Sequence, residues 1–292
     1  PTFTKEYTYD SRGRRIEEKD VLSVDESYAA QFAYDATGNP TSETDKEGNL
    51  TTYVYDELNR KIKVIDSLSN NTEYTYNDRD NLIALKDAKG NITQFEYDKN
   101  NRLVKESRPM GEITTYQYDS VGNLIQKIDA KNQKTEYKYD DVGRRIETKN
   151  FSASDYVNPV KTITFTYDKA GNLKTYNDGT TSAQYIYDDL YRKLSETVNY
   201  GTFSLPYSYT YYKNGLKKSF TMPDGTIYNY TYDSNNQLAG ISIPGQGYIT
   251  YNSYTWDKPA GITYPGGTKR EYTYNPLMQI KSLTAKDPGQ NP

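Results

Sequence analysis

Residues 93–104 read Thr93-Gln94-Phe95-Glu96-Tyr97-Asp98-Lys99-Asn100-Asn101-Arg102-Leu103-Val104 and contain one copy of a unit that the whole chain repeats. The unit has the form Thr-x-aromatic-x-Tyr-Asp-x-x-Gly/Asn-Asn/Arg-Leu/Ile. A fixed period of this size is the signature of a repeat architecture. Six consecutive copies are spaced 21 residues apart, at Tyr34-Asp35, Tyr55-Asp56, Tyr76-Asn77, Tyr97-Asp98, Tyr118-Asp119 and Tyr139-Asp140.

The unit predicts one β-hairpin. Thr93, Phe95 and Tyr97 alternate with polar residues, which is the period of a strand with one apolar face and one wet face. Asp98 is expected to end that strand, because its carboxylate can accept a hydrogen bond from a backbone N–H two residues on. The third position after the Asp needs a positive φ, which favours glycine. Glycine stands there at Gly38, Gly122, Gly143 and Gly171.

A second turn is predicted to link each hairpin to the next. Most of these turns are rich in Asp, Gly and Asn, as in Asp87-Ala88-Lys89-Gly90-Asn91. Arg108-Pro109-Met110-Gly111 is an exception, and later copies use Pro and Gly, which preset the φ values of tight turns. The later turns are Pro223-Asp224-Gly225, Pro244-Gly245 and Pro265-Gly266-Gly267.

The composition predicts thin sheets rather than a thick aliphatic core. Hydrophobic residues make up 34% of the 292 residues, and 33 residues are Tyr, which buries area and keeps a polar tip. The regular pattern of strands and turns argues against disorder. No window shows helical periodicity with a cap.

Charge and missing residue types exclude several functions. The net charge of −3 indicates no nucleic-acid partner, and no apolar run is long enough for a membrane span. The chain has neither Cys nor His, which excludes Cys nucleophiles, Ser-His-Asp triads and Cys/His zinc sites. No signal peptide is visible, and a chain that starts at Pro1 is expected to have been processed.

The repeats predict a single domain over residues 1–284 and a frayed tail over 285–292. A first copy at Tyr9-Asp10 is followed by a short insertion, a longer loop from Val21 to Gln31. Repeats are regular over 32–150, and 150–161 is either an extended hairpin loop, which we favour, or a seam between subdomains. Drifted repeats fill 162–284, with corners at Tyr167-Asp168, Tyr187-Asp188, Tyr211-Tyr212, Tyr232-Asp233, Trp256-Asp257 and Tyr274-Asn275.

Thirteen corners imply about 26 strands and an all-β fold of antiparallel hairpin repeats. At ~4.8 Å between strands, a single ring would be about 125 Å around and about 40 Å across, too wide for side chains to fill. The sheet must therefore enclose a space, spiral on itself, or remain a curved strip with exposed edges that invite pairing.

The repeat resembles the Rhs/YD-repeat family, which includes bacterial polymorphic toxins, wall-associated proteins, toxin-complex C components and teneurins. The match runs from Tyr7 to about Leu283 and is clear at Tyr116-Gln117-Tyr118-Asp119-Ser120-Val121-Gly122-Asn123-Leu124. The resemblance implies a curved or spiralling β-sheet shell that can hold a toxic polypeptide, and secretion or surface display, with a bacterial origin. It identifies the chain as a segment of a shell or a short stand-alone repeat protein.

The resemblance does not extend to self-cleavage. Family shells end in a plug with an Asp-Pro-x-Gly motif and autoproteolytic aspartates, and Asp287-Pro288-Gly289-Gln290 is only a truncated echo of it.

No catalytic, cofactor or metal residue is predicted. The repeated Asp and Asn residues favour turn capping over Ca²⁺ binding, because EF-hand and nonapeptide spacings are missing. The tyrosines favour cross-strand packing over sugar stacking. Adjacent carboxylates such as Asp140-Asp141, Asp188-Asp189 and Glu17-Glu18 are taken to point to opposite faces of a strand, which argues against glycoside hydrolysis. Lys61-Ile62-Lys63 and Lys217-Lys218 are interpreted as solvated lysines or edge-strand gatekeepers.

The sequence therefore supports a non-catalytic scaffold that encloses or carries a partner or toxin polypeptide. The alternative is an extracellular filament or adhesin assembled through open strand edges, with glycan binding as a weaker option. Expected partners are a polypeptide cargo, neighbouring repeat segments, or a second copy through its sheet edges.

Overall fold

A computed structural model of the protein describes residues 2–22 and 27–288. These residues form 26 β-strands, and the only helical element among them is a 3-10 turn at Pro109–Gly111. The predicted all-β class and strand number are confirmed.

The strands of the first half are β1 Thr2–Tyr9, β2 Arg15–Val21, β3 Ser27–Tyr34, β4 Pro40–Thr44, β5 Leu50–Tyr55, β6 Lys61–Ile65, β7 Asn71–Tyr76, β8 Leu82–Lys86, β9 Ile92–Tyr97, β10 Leu103–Ser107, β11 Ile113–Tyr118, β12 Leu124–Ile128 and β13 Lys134–Tyr139. Those of the second half are β14 Arg145–Phe151, β15 Lys161–Tyr167, β16 Leu173–Asn177, β17 Ser182–Tyr187, β18 Lys193–Asn199, β19 Ser204–Tyr211, β20 Lys217–Thr221, β21 Ile227–Tyr232, β22 Leu238–Ile243, β23 Gly247–Thr255, β24 Lys258–Thr263, β25 Lys269–Tyr274 and β26 Ile280–Lys286.

The chain divides into two compact units, and each is described by itself. Unit 1 comprises Pro1–Asn71 and Thr210–Pro292, and unit 2 comprises Thr72–Tyr209. Within unit 2, each strand from β8 to β18 pairs antiparallel with its neighbours in sequence.

Within unit 1 the first and last strands pair with each other. Strands β1 to β6 and β20 to β26 again pair in sequence order. In addition β1 pairs with β26, from Thr2 opposite Lys286 to Glu6 opposite Ser282. Neither β1 nor β26 is therefore an open edge over these residues.

The two sides of a strand are buried to different degrees, as the alternation predicts. In β9, Thr93, Phe95 and Tyr97 are half-buried, whereas Gln94 and Glu96 are exposed. Among the described side chains the buried apolar set is small: Ala30, Phe151, Ala183 and Ile262. The sheet therefore has little apolar core, and most of its contacts are those between neighbouring strands.

Most tyrosines that end a strand lie at a break in register. Gln117 pairs with Gln126 but Tyr118 pairs with Leu124, so Ile125 is bulged. The same shift recurs in the other hairpins, for example at Tyr97 and Tyr139. Such bulges increase the local twist and re-aim the side chain.

The predicted loop from Val21 to Gln31 is largely wrong. Strand β2 runs to Val21 and β3 starts at Ser27, and the two pair from Glu17 opposite Gln31 to Val21 opposite Ser27. Most of the extra residues lengthen the ladder, because paired backbone groups are satisfied more fully than in a loop. Residues 23–26 lie outside the described residues.

Residues 152–160 extend the hairpin of β14 and β15. The two strands pair up to Asn150 opposite Lys161, and the N–H of Val160 donates to the carbonyl of Asn150. The predicted single domain over 1–284 stays a prediction. Strand β26 continues to Lys286, and residues 289–292 of the predicted tail lie outside the described residues.

Candidate functional surface: the stacked Tyr-Asp corners

A corner is the turn that follows a Tyr-Asp pair, and the Asp closes it. At Asp98, Oδ1 accepts from the N–H groups of Asn100 at 2.8 Å and Arg102 at 3.0 Å, and Oδ2 accepts from Arg102 Nε at 2.7 Å. These hydrogen bonds lower the pKa of Asp98, and the bond from the backbone N–H of Arg102 has the largest effect. The third residue after the Asp has a positive φ, 62° at Asn101 and 104° at Gly122. The predicted turn chemistry is confirmed.

The same carboxylate cap recurs in both kinds of turn. Oδ1 of the Asp accepts from the N–H groups two and four residues on. It does so at the corners of Asp10, Asp56, Asp119, Asp140, Asp168, Asp188 and Asp233 and in the linking turns of Asp45, Asp66, Asp87 and Asp129.

At many corners the Tyr reaches back to the preceding repeat. The hydroxyl of Tyr118 donates to the carbonyl of Leu103 at 2.9 Å, and Tyr139 donates to the carbonyl of Leu124 at 2.9 Å. Burial raises the pKa of Tyr118, which keeps the phenol protonated as a donor. Further bonds of this kind are made by Tyr34, Tyr97, Tyr167, Tyr187, Tyr254 and Tyr274, at 2.6–3.0 Å.

Over the first nine corners the fourth residue after the Asp position alternates between Arg and Asn, and several of the arginines reach forward to the next corner. Nε of this Arg donates to its own Asp at 2.7 Å at Arg14, Arg60, Arg102, Arg144 and Arg192. Arg102 also donates from Nη1 to the carbonyl of Asp119 at 3.0 Å and lies 4.8 Å above the ring of Tyr118. We call the contact that follows such a corner an Arg junction. Arg14 and Arg144 make the same two contacts.

The alternate corners carry Asn at this position, at Asn39, Asn81, Asn123 and Asn172. Asn123 Nδ2 donates to Asp119 Oδ2 at 2.9 Å, and Asn81 Nδ2 reaches Asn101 Oδ1 of the next corner at 3.0 Å. A pocket lies between the two corners at two of these junctions, after Asn81 and after Asn123. We call these contacts Asn junctions.

Sequence reasoning missed this alternation. It treated Arg and Asn as equivalent at the fourth position, although the order Arg, Asn, Arg, Asn continues over nine corners and was visible in the sequence. The true unit is therefore a pair of hairpins, about 42 residues in its regular part.

One predicted corner is misplaced, and another has an unusual residue at the Asp position. At Trp256-Asp257 the strand-end role belongs to Tyr254, whose hydroxyl donates to the Leu238 carbonyl at 2.6 Å, and Trp256 lies in the turn itself with a φ of 60°. At Tyr211-Tyr212 the second Tyr occupies the Asp position and packs edge-on against Tyr232 at 6.1 Å. The two-residue turn at Trp256-Asp257 shifts the register that Tyr-Asp spacing predicts. The corner at Tyr211-Tyr212 is confirmed, because the N–H of Tyr212 donates to the carbonyl of Leu216 and the N–H of Gly215 donates to the carbonyl of Tyr212, as in the Asp corners.

The adjacent carboxylates do not converge, but the reason differs from the prediction for two pairs. Asp140-Asp141 and Asp188-Asp189 lie in turns rather than on strands, and the first Asp of each caps its own turn. Glu17-Glu18 does lie on β2: Glu17 contacts Thr8, whereas Glu18 binds Lys5 Nζ at 2.8 Å.

The basic clusters contact aromatic rings. Lys61 Nζ lies 5.3 Å from the ring of Tyr53, and Lys217 Nζ lies 5.3 Å from that of Tyr230. Within residues 2–22 and 27–288 no group of three or more acidic, Cys or His residues could hold a metal ion. The expectation of no catalytic, cofactor or metal residue stays a prediction.

A search for membrane-spanning helices within the described residues finds none that is long and apolar enough.

Comparison with known proteins supports the resemblance. A structural search matches the TcdB2-TccC3-TEV crystal structure with a TM-score of 0.56 at 16% identity, over 96% of this chain and 16% of the other. A TcdB2-TccC3 structure without the hypervariable C-terminal region matches with a TM-score of 0.52 at 14% identity, over 98% and 21%. The Photorhabdus luminescens Tc holotoxin pore matches with a TM-score of 0.51 at 14% identity, over 95% and 18%.

At these identities the structural matches show a shared fold, and the chain spans about a fifth or less of the length of those chains. No curated protein matches the chain. The family model of the teneurin YD-shell matches residues 2–155 and 149–258, which is most of the chain. The Tyr-Asp corners, the hairpin repeat and this match together show that the chain belongs to the teneurin YD-shell family of Rhs/YD-repeat proteins.

Proposed function

We propose that this chain is a non-catalytic scaffold, secreted or displayed at the cell surface, and that its wall encloses or carries a partner polypeptide. The observation that carries the proposal is the use of the motif residues. Tyr118 bonds backward, Asp119 caps its own turn and Arg102 bonds forward, so each is consumed in joining hairpins. The motif residues therefore serve to hold the sheet together, which supports a structural role rather than catalysis.

The relatives support a container. The matched structures are TcdB2-TccC3 complexes and a Tc holotoxin pore, and one lacks a hypervariable C-terminal region. For this chain, a polypeptide cargo is the corresponding partner. Localisation outside the cell follows from the same analogy.

Protease protection tests the proposal. The chain is co-expressed with the polypeptide encoded next to it, and the complex is purified. The complex and the cargo polypeptide alone are then digested with protease under native conditions. We expect the cargo to co-purify and to survive longer than the same cargo alone. Absence of co-purification, or equal digestion with and without the chain, overturns the proposal.

A matched pair of variants sharpens the test. Arg102→Ala with Arg144→Ala weakens two Arg junctions, whereas Asn123→Ala with Asn172→Ala alters two Asn junctions. We expect faster cargo digestion for the Arg pair than for the Asn pair, because only the Arg side chains tie one corner to the carbonyl and ring of the next.

The filament alternative receives less support. It requires open strand edges, and β1 and β26 are paired with each other. Electron microscopy of the purified chain at neutral pH decides: filaments joined through strand edges would favour the alternative, and discrete particles would count against it.

A further inference from the structure

The first and last described strands meet at a place in unit 1 where no turn joins them. In every described strand pair except β1 and β26, the two strands follow each other in the chain. We call the contact between β1 and β26 the seam. When a ladder breaks elsewhere, the turn keeps its strands near each other, since five residues span at most roughly 18 Å. At the seam no such tether limits the separation of the two strands.

The seam has the register of a linking junction, where a linking turn joins one hairpin to the next. In the linking junction of β12 and β13, the seventh residue after one Asp position pairs with the fourth residue before the next, as Gln126 opposite Glu136. Counted from the last and first corners, the same two positions pair across the seam as Ser282 and Glu6. The seam is therefore a repeat junction that lacks its turn.

The last and first corners also contact each other across the seam. The hydroxyl of Tyr9 donates to the carbonyl of Ile280 at 2.7 Å, as the strand-end tyrosines of other corners do. Gln279, the fourth residue after Asn275, donates from Nε2 to the carbonyl of Gly13. These contacts match those between linked repeats, so the closed seam is a specific contact.

The ion pairs beside the seam stay within their own hairpins. Lys5 Nζ on β1 lies 2.8 Å from a carboxylate oxygen of Glu18 and 3.4 Å from one of Asp20, both on β2. Lys286 Nζ on β26 lies 2.8 Å from a carboxylate oxygen of Glu271 on β25. Removing one partner of an ion pair leaves a charge whose desolvation is no longer offset. Opening the seam removes none of these partners.

An Arg junction differs from the seam, because a charged group spans it. The guanidinium of Arg102 bonds Asp98 of its own corner and the carbonyl of Asp119 in the next. Hydrogen bonds of charged groups contribute more to stability than those of neutral groups. Tyr9 and Gln279 bond across the seam through neutral groups. The corner contacts at the seam therefore cost less to break.

Opening the seam also exposes little apolar core. Every described side chain of β1 and β26 is half-buried or exposed. Regions with few buried apolar contacts open at a lower free energy than global unfolding requires. The seam therefore combines a specific closed state with little buried surface to expose.

We propose that the seam opens reversibly and that the partner polypeptide passes the sheet there. The hairpins β1–β2 and β25–β26 remain intact in the open state, because their ladders and ion pairs are internal to each hairpin. The seam recloses in one register, because the contacts of Tyr9 and Gln279 require it. The identity of what passes rests on the proposed function, whereas the opening itself does not depend on it.

Hydrogen exchange measured residue by residue by NMR tests the opening without any cargo. Amides that bond across the seam should exchange at least roughly tenfold faster than those between β12 and β13. Amides in the ladders of β1 with β2 and of β25 with β26 should stay protected, which distinguishes opening from fraying of a terminal hairpin. Equal exchange at the seam and at β12–β13, or equal exchange at the seam and in the β1–β2 ladder, overturns the inference.

A disulfide across the seam tests its role in passage. The chain has no Cys, so Thr4→Cys/Thr284→Cys introduces one pair of thiols, at positions whose hydroxyl oxygens lie 3.2 Å apart. The matched control Ser107→Cys/Ile113→Cys places thiols at the equivalent positions of the junction between β10 and β11, which a turn already joins. Circular dichroism confirms the fold of both variants, and intact mass confirms the oxidised bond.

Uptake of labelled cargo gives the decisive result. Each variant is co-purified with the polypeptide encoded next to the chain, oxidised or kept reduced, and mixed with a labelled copy of that polypeptide. The label that survives protease is measured over time. We expect oxidation to slow uptake at least roughly tenfold in the seam variant and to leave it unchanged in the control. Reduction should restore uptake.

The outcomes separate this inference from the proposed function. If no cargo co-purifies with the wild type, the proposed function fails, and hydrogen exchange still decides whether the seam opens. If cargo co-purifies but the oxidised seam variant takes up label as fast as its reduced form, passage through the seam is overturned. Absence of uptake by the reduced chains overturns it as well.

Discussion

Arg junctions and Asn junctions follow the same sequence motif and are built differently. At Arg102 the guanidinium spans two repeats, bonding Asp98 and the carbonyl of Asp119 and covering Tyr118. At Asn123 the amide bonds its own Asp119, and a groove remains in front of the next corner. Every described insertion between corners up to Tyr212 also falls at an Arg junction. Extra residues between corners therefore occur in the same junctions as the bridging Arg.

The largest expected effect concerns the turn at an Asn corner. Gly122 has a φ of 104°, whereas Gly143 of the next Arg corner has 81°. Gly122→Val places a β-branched side chain in a region that L residues avoid, and we expect it to lower the free energy of unfolding by roughly 2–3 kcal/mol. Urea denaturation measures the loss.

Two controls accompany this variant. Val121→Gly alters an exposed turn residue and should cost about 1 kcal/mol or less. Gly143→Asn should be tolerated, because Asn59 and Asn101 occupy the same place in other Arg corners. Equal melting temperatures for Gly122→Val and Val121→Gly would contradict the φ argument.

The second effect compares the bridging side chains directly. Arg102→Ala removes a charged hydrogen bond to the next repeat and a cation–π contact, and we expect a loss of about 2 kcal/mol. Asn123→Ala should cost about 1 kcal/mol, since its amide bonds mainly its own corner. If denaturant titrations show equal losses of unfolding free energy for the two variants, Arg junctions are no more stabilising than Asn junctions.

A smaller effect tests whether tyrosines share the asymmetry. Tyr118 reaches back across an Arg junction and Tyr97 across an Asn junction, each with one hydrogen bond of 2.9 Å. Tyr118→Phe and Tyr97→Phe should each cost about 1 kcal/mol. A clear difference between them would place part of the asymmetry in the tyrosines rather than in the Arg.

The smallest effect is a dependence on pH. The hydrogen bond from Thr37, followed by those from Asn39 and Gly38, lowers the pKa of Asp35 to about 2. Because the folded pKa is depressed, the unfolded chain binds protons first as the pH falls below about 4. The contribution of Asp35 is then present at neutral pH and is lost between about pH 4 and pH 2.

Thermal unfolding from pH 7 to pH 2 measures this loss, which other capping aspartates with lowered pKa, such as Asp10 and Asp168, should share. An Asp35→Asn variant serves as the control and should show a shallower decline over the same range. If the melting temperature of the variant falls as steeply with pH as that of the wild type, Asp35 does not contribute to the pH dependence of stability.

Much of the fold could be predicted because the turn bonds are local. Asp98 bonds groups two and four residues away, and Gly122 adopts a positive φ within its own corner, so sequence pattern is sufficient there. The errors arose where spacing was counted without knowing the turn. Tyr-Asp spacing predicts the strand-end aromatic at Trp256, but Tyr254 fills that role, since a two-residue turn shifts the register.

The hairpin unit and its carboxylate cap can be predicted from the amino-acid sequence alone, because the bonds that form them join neighbours within four residues. The folded structure was needed to show that Tyr118 bonds Leu103, that Arg102 covers Tyr118, and that β1 pairs with β26. Those contacts join residues 15 or more positions apart. Their partners are selected by strand register and sheet twist, which no short window of sequence contains.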